Sequence, residues 1–253
     1  MAKLSSIDED ELKKFNKTNK EWWDLNGEFK MLHEITPIRI DYIKSVILQH
    51  FNITNVSEQP FNNIKLLDVG SGGGLVCKPM FELGADVTGL DANAHNTKAA
   101  NSYAKENKLN IKYINNTVEE YAPSNQEKFD VVLCLEVIEH VANPKEFVQN
   151  ISKLVKPNGV LIFSTINRTI KSFTHAIVMA EYILGWVPKR THKYSKFIKP
   201  SEFVEMLKDT SFNLFELKGL SLSLPNKIWY LTNNIDVNYF AVFKKSSLTK
   251  NLI

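Results

Sequence analysis

An apolar run, Leu66-Leu67-Asp68-Val69, breaks directly into Gly70-Ser71-Gly72-Gly73-Gly74, four glycines in five positions. No other stretch restricts the fold so strongly. Glycine loses more conformational freedom on folding than any other residue, so a cluster marks backbone that must take positive φ or approach something closely. Between a strand and a helical segment, such a turn is a βα corner of an open α/β sheet. The ligand it admits lies beyond the carboxyl ends of the strands. The run KLLDVG is followed by ADVTGLD, IKYI, FDVVLCL and GVLIFST, all short and aliphatic like strands buried on both faces. Segments of helical composition at 75–83, 92–107 and 144–154 separate them, the last closing before Lys156-Pro157-Asn158-Gly159. Alternation of this kind predicts a doubly wound α/β sheet, mostly parallel, with helices on both faces.

Around this core, residues 12–49 carry apolar side chains at helical spacing (Phe15, Trp22, Trp23, Ile38, Tyr42, Val46), with Pro37 suited to a first helical turn. A helix at 200–208 and two strands at 212–220 and 237–244, joined by a loop through Pro225, finish the pattern. One domain over 1–253 is predicted, divided into a helical cover (12–50), a cofactor-binding core (64–165), an amphipathic insertion (166–193) and a C-terminal helix and strand pair (194–244). With 43% hydrophobic and 23% charged residues, extended disorder is excluded as the main state. A net charge of +3 gives no overall field for binding nucleic acid, and none is expected as a partner. Cys77 and Cys134 lie far apart with no CxxC spacing, which argues against disulfides or structural zinc and for a reducing cytoplasm. No apolar run reaches the roughly 20 residues that span a bilayer, so a soluble or peripherally attached protein is expected.

The glycine spacing also discriminates among ligands. A dinucleotide fingerprint beginning at Gly70 requires a sixth-position glycine, where Leu75 stands. Asp68, just before the turn, would oppose a pyrophosphate but suit a cationic ligand. Asp91 ends the next strand, where a carboxylate can accept both hydroxyls of a ribose; the alternative is a helix N-cap for Ala92 onward.

Together DVGSGGG, VTGLD, FDVVLCLEVIEHV and LVKPNGVLIFSTINR resemble the class I S-adenosylmethionine-dependent methyltransferases. More narrowly, EWWDLNGEFKMLHEITPIRIDYI, LEVIEHV, STINRTIKSF, AEYILGWVPKRTHKYSKFIKP and DVNYF resemble the ubiquinone-biosynthesis O-methyltransferases, over nearly the whole chain. That resemblance implies a seven-stranded sheet with an antiparallel last strand, and methyl transfer to phenolic hydroxyls of polyprenylated ubiquinone precursors. It implies Arg39, Gly70, Asp91 and Leu135 as cofactor contacts, Arg39 pairing with the methionyl carboxylate. Ser71 and Leu135 stand where the family more often has Cys and Met. Other acceptors, and a non-catalytic scaffold of a ubiquinone biosynthetic complex, are the alternative functions.

Glu136-Val137-Ile138-Glu139-His140 follows the strand FDVVLCL. If the segment is helical, Glu136, Glu139 and His140 share a face and can hold a divalent cation, with open positions for two adjacent ring oxygens. A phenol of pKa about 10 needs a base or a bound cation at neutral pH, and His140 suits either role. The resemblance favours Mg²⁺, with Mn²⁺ or Zn²⁺ open. A purely structural role, an acidic first helical turn, is the remaining reading.

Residues 168–193 place basic ends (Arg168, Lys171; Lys189, Arg190, Lys193) around an apolar stripe that includes Phe173, Ile177, Tyr182 and Trp186. This pattern suits an interfacial helix on anionic lipid at the inner membrane surface, or a lid over the site. Trp22 and Trp23 are either core or part of a cofactor cover.

Overall fold

The expected sheet forms, with one strand more than the sequence pattern implies. In the computed structural model, which describes residues 22–27, 29–54, 57–174, 193–223, 226 and 228–247, eight strands build a single sheet. They are β1 (Lys65–Val69), β2 (Asp86–Asp91), β3 (Lys112–Asn115), β4 (Phe129–Leu135), β5 (Val155–Ile166), β6 (Phe212–Ser223), β7 (Ile228–Thr232) and β8 (Asn238–Lys245). Their spatial order is β3-β2-β1-β4-β5-β8-β6-β7. The first five pair in parallel, and β8 inserts antiparallel between β5 and β6. The correction to seven strands is β7, which pairs antiparallel with β6 at the sheet edge. The stretch read as a loop between two strands contains this third one; Pro225 itself lies outside the described residues.

The helices of four or more residues among the described residues are α1 (Lys30–His50), α2 (Cys77–Glu82), α3 (Ala94–Glu106), α4 (Val118–Tyr121), α5 (Pro144–Leu154) and α6 (Pro200–Leu207). Side chains alternate across the sheet, so neighbours on one strand feed opposite cores. Leu66, Val131, Leu133 and Ile162 pack with Ile40, Ile43 and Ile47 of α1 and Met80 of α2. Leu67, Val132, Cys134 and Phe163 pack with α4, α5 and α6, through residues such as Val118, Phe147 and Phe203. Burial of this kind stabilises by roughly 1.5–3 kcal/mol for each large apolar side chain, which is why the central strands tolerate almost no polar residue.

Pro37 departs from its expected place. It lies inside α1 rather than in its first turn, a position that removes a backbone donor and costs up to about 3 kcal/mol in an ordinary helix interior. The apolar face formed by Ile35, Ile40, Ile43, Val46 and Ile47 offsets this by docking on the sheet. Residues 22–27 make turns rather than helix, and residues 12–21 lie outside the described part. So do residues 175–192, which hold most of the insertion. Among the described residues no helix is long and apolar enough to cross a membrane.

Candidate active site

Strand order reverses between β1 and β4, so the carboxyl ends of β1, β2, β4 and β5 frame the crevice where open α/β sheets bind ligands. Gly70 opens the turn at φ +75°, and a Cβ there would come within 2.3 Å of Val137 Cγ2, so only glycine fits. Gly72 then directs its amide to Asp91 Oδ2 at 2.8 Å. Asp91 Oδ1 accepts from the Asn93 amide at 2.7 Å, and Asn96 Nδ2 stands 3.5 Å from both oxygens. Asp91 is therefore not the cap of α3. That role belongs to Asn93, whose side chain accepts from the His95 amide. An ionised carboxylate offers about four lone-pair positions, so the two short amide bonds leave capacity for ligand hydroxyls. Burial raises the Asp91 pKa, and the two amides pull it partly back.

Beneath the turn, Asp68 is fully enclosed and accepts from Cys77 Sγ at 3.3 Å. Burial pushes its carboxyl up to about 7; the thiol lowers it and the neighbouring charge of Asp91 raises it. A cation above the turn would relieve that cost, in keeping with the sequence reading of this residue.

Both tryptophans pack against the glycine turn, Trp22 as part of a small buried cluster with Phe29 and Leu75. A Cβ on Gly73 would meet Trp22 at 2.4 Å, and Trp23 Nε1 donates to the Gly73 carbonyl at 3.2 Å. Trp22 stacks on Phe29 and donates to Asn96 Oδ1; Trp23 stacks on Tyr103 of α3. Asn96 thus links Trp22 to the residue that holds the turn.

The segment after β4 is not the helix its spacing suggested. Glu136 takes φ +55°, and Ile138–His140 form a single 3-10 turn. Three- and four-residue spacing therefore no longer puts the acids on one face. Glu136 Oε1 accepts from Ser164 Oγ at 2.7 Å and pairs with Arg39 Nη2 at 2.8 Å. Glu139 is buried and accepts from Thr165 Oγ1 at 2.9 Å. Burial first, and then the Glu136 charge, push the Glu139 carboxyl up to about 7, while His140 pulls it down. The three side chains are thus electrostatic neighbours. Among the described residues, no three His, Cys, Asp or Glu converge closely enough to hold an ion. With Glu136 Oε1 engaged by Arg39 and Ser164, the three side chains as arranged do not form the ligand set that the spacing suggested.

Leu135, the last residue of β4, packs into the core beside α1, leaving the end of the strand at the crevice. Arg39 is buried on α1, and its Nε has no hydrogen-bond partner. Sequence reasoning missed the two β5 hydroxyls, Ser164 and Thr165. Their signal was two adjacent hydroxyl residues following the apolar run at 160–163 within the strand.

Residues 47–217 match a family model described as a methyltransferase domain. The crystal structure of magnesium protoporphyrin IX methyltransferase from Synechocystis PCC 6803 with bound S-adenosylhomocysteine has a TM-score of 0.62 to this fold. It matches over 92% of this chain and 95% of that one, at 17% identity. Fold and site together make the protein an S-adenosylmethionine-dependent methyltransferase of class I. A ubiquinone biosynthesis O-methyltransferase from Rickettsia typhi is 49% identical over 242 residues, covering 96% of this chain and 95% of its own. The protein of that name from Pelagibacter ubique is 45% identical, covering 96% and 100%. The chain belongs to the ubiquinone biosynthesis O-methyltransferase family.

Proposed function

We propose that the protein transfers a methyl group from S-adenosylmethionine to a phenolic oxygen of a polyprenylated ubiquinone precursor, in one or both O-methylation steps. The observation that carries this reading is the juxtaposition of the Asp91-anchored glycine turn with the Glu136, Glu139 and His140 corner, at adjacent strand ends. In this reading Asp91 accepts from the ribose hydroxyls, the Gly70 turn lets the cofactor approach, and Leu135 packs near the adenosine. Arg39 pairs with the methionyl carboxylate, and its unpartnered buried Nε supports that role. Asp68 balances the cofactor's positive end.

The phenolate oxygen attacks the methyl carbon in line, the carbon–sulfur bond breaks, and its electron pair neutralises the sulfonium. His140 takes the phenol proton as base or belongs to the ligand set with Glu136 and Glu139. A divalent ion held there, Mg²⁺ by preference, would supply Lewis-acid stabilisation of the phenolate. Turnover of a short-chain prenylated catechol with S-adenosylmethionine tests the acceptor: a singly methylated ring is expected. Methylation only of unprenylated phenols would favour the reading in which another small phenol is the substrate.

Peripheral contact with anionic lipid, at the inner surface of the membrane holding such a substrate, and membership of a ubiquinone biosynthetic complex belong to the same proposal. Ile170 and Phe173, exposed where the insertion leaves the sheet, support a lipid-facing or lid role for residues 166–193. Replacing Lys189, Arg190 and Lys193 by Glu should reduce co-sedimentation with phosphatidylglycerol vesicles several-fold. Unchanged co-sedimentation would leave the lid role alone.

A further inference from the structure

β6 and β7 overhang the carboxyl end of the sheet. β5 ends at Ile166, which pairs with Asn238, the first residue of β8, and Asn238 pairs in turn with Leu220 of β6. β6 then runs on through Ser221, Leu222 and Ser223 beside β7 alone, with Ser221 opposite Tyr230 and Ser223 opposite Ile228. These three residues, at about 3.3 Å each, carry the hairpin roughly 10 Å past β5, at the end of the sheet where the glycine turn opens. Trp229 and Leu231 pack into the core beneath α1, so alternation sends Ile228 and Tyr230 to the opposite face. Thr165 is on that face too: it pairs with Tyr239, Tyr239 with Gly219, and Gly219 with Thr232, two residues from Tyr230. The Thr165 hydroxyl is the one that holds Glu139. From β5 to β7 this row crosses β8 and β6, a distance of about 14 Å. The connection is firmly tied. Residues 233–237 pass over Gly219, where a Cβ would collide with the Asn234 carbonyl, and Asn167 and Thr169, just past β5, donate to the carbonyls of Ile235 and Asp236.

Ile228 is 59% and Tyr230 46% exposed, and β7 carries no charged residue. An edge strand in water is ordinarily blunted by charge, as β3 is at the other edge by Lys112. Among the described residues, the other exposed large apolar side chains on strands, Leu214 and Phe215, lie toward the opposite end of β6. The uncharged strip of β7 is therefore at the end of the sheet that holds the reaction corner, and on the face of Thr165. We propose that Ile228 and Tyr230 bind the isoprenoid chain of the acceptor while its ring lies at the corner between β4 and β5, so that the enzyme prefers acceptors with tails longer than one prenyl group. This rests on the acceptor class given under the proposed function and adds to it where the tail lies. The crossing from β5 to β7 exceeds the length of a single prenyl group and is within reach of a farnesyl chain.

Steady-state kinetics on monoprenylated and farnesylated catechols, with S-adenosylmethionine saturating, tests this on wild type and on the double variant Ile228→Thr, Tyr230→Thr. Threonine keeps the β propensity of the strand and removes most of its apolar surface. Wild type should favour the farnesylated catechol about tenfold in kcat/KM, chiefly through KM, and the variant should lose most of that preference, the loss falling on the farnesylated acceptor. A preference retained in the variant would overturn the proposal. If the variant also sediments as a smaller species than wild type, the strip is instead a contact between copies of this chain. A wild type indifferent to chain length would overturn the tail site as well, while methylation of both catechols would leave the proposed reaction standing. Photo-crosslinking with a farnesylated catechol that carries a diazirine at the far end of its chain, read by mass spectrometry, requires no turnover. Label within residues 221–232 would support the tail site even if neither catechol were methylated, a result that would count against the reaction alone. Label confined to residues 166–193, or no label, would overturn the site.

Discussion

Asp91→Ala is expected to raise the dissociation constant for S-adenosylhomocysteine at least about 100-fold while leaving the far-ultraviolet spectrum close to wild type. Two effects add. Removing the carboxylate strands the Gly72 and Asn93 amides that it accepts from at 2.8 and 2.7 Å, so the turn loses the contact that sets its shape. It also removes the acceptor proposed for the ribose hydroxyls. Hydrogen bonds to a charged group contribute about 1.5–3 kcal/mol each, so losing two corresponds to roughly two to four orders of magnitude in affinity. Asp91→Asn, with one acceptor oxygen in place, should fall between the two. Calorimetry decides: binding within threefold of wild type in Asp91→Ala would remove this residue from the cofactor site.

The second large effect concerns chemistry rather than binding. His140→Ala should lower kcat by a factor of about 10² to 10⁴ in the prenylated-catechol assay, the range spanned by loss of a positioned general base. S-adenosylhomocysteine affinity should change little, since His140 is not among the contacts proposed for the cofactor. Chelation separates the two roles open to His140. If it belongs to a metal set, exhaustive chelation of wild type should reproduce most of the loss and Mg²⁺ should restore it. If it acts as a base alone, chelated wild type retains its rate. A variant with wild-type kcat would leave the imidazole without a part in the reaction.

The strands framing the crevice were legible because fully buried parallel strands must be aliphatic, and the turn because four glycines in five positions have few other uses. Asp91 was legible by position at the end of its strand. β7 was missed although Ile228-Trp229-Tyr230-Leu231-Thr232 is β-prone in composition: it lies at the sheet edge with Ile228 and Tyr230 exposed, and it falls within the stretch read as the loop through Pro225. Pro37 in mid-helix defeats a local rule because tertiary packing of α1 outweighs it. The acidic corner was legible in residue type but not in shape. The spacing of Glu136, Glu139 and His140 presumed a helix, whereas Glu136 sits at positive φ, held by Arg39 and Ser164 from elements remote in the chain. Contacts that depend on the meeting of α1, β4 and β5 leave no periodic trace in any one of them.

Chain order and spatial order diverge most at β8, last of the strands to leave the ribosome and yet seated between β5 and β6. Every group assigned to the cofactor and the reaction lies between Arg39 and Thr165, upstream of this closing strand. During synthesis that earlier half can pair its five parallel strands, but β5 keeps an open edge until the final hairpin partner emerges, a template for mispairing with other nascent chains. Biogenesis of this protein therefore has its vulnerable interval late, after the catalytic half has been made and before it is sealed.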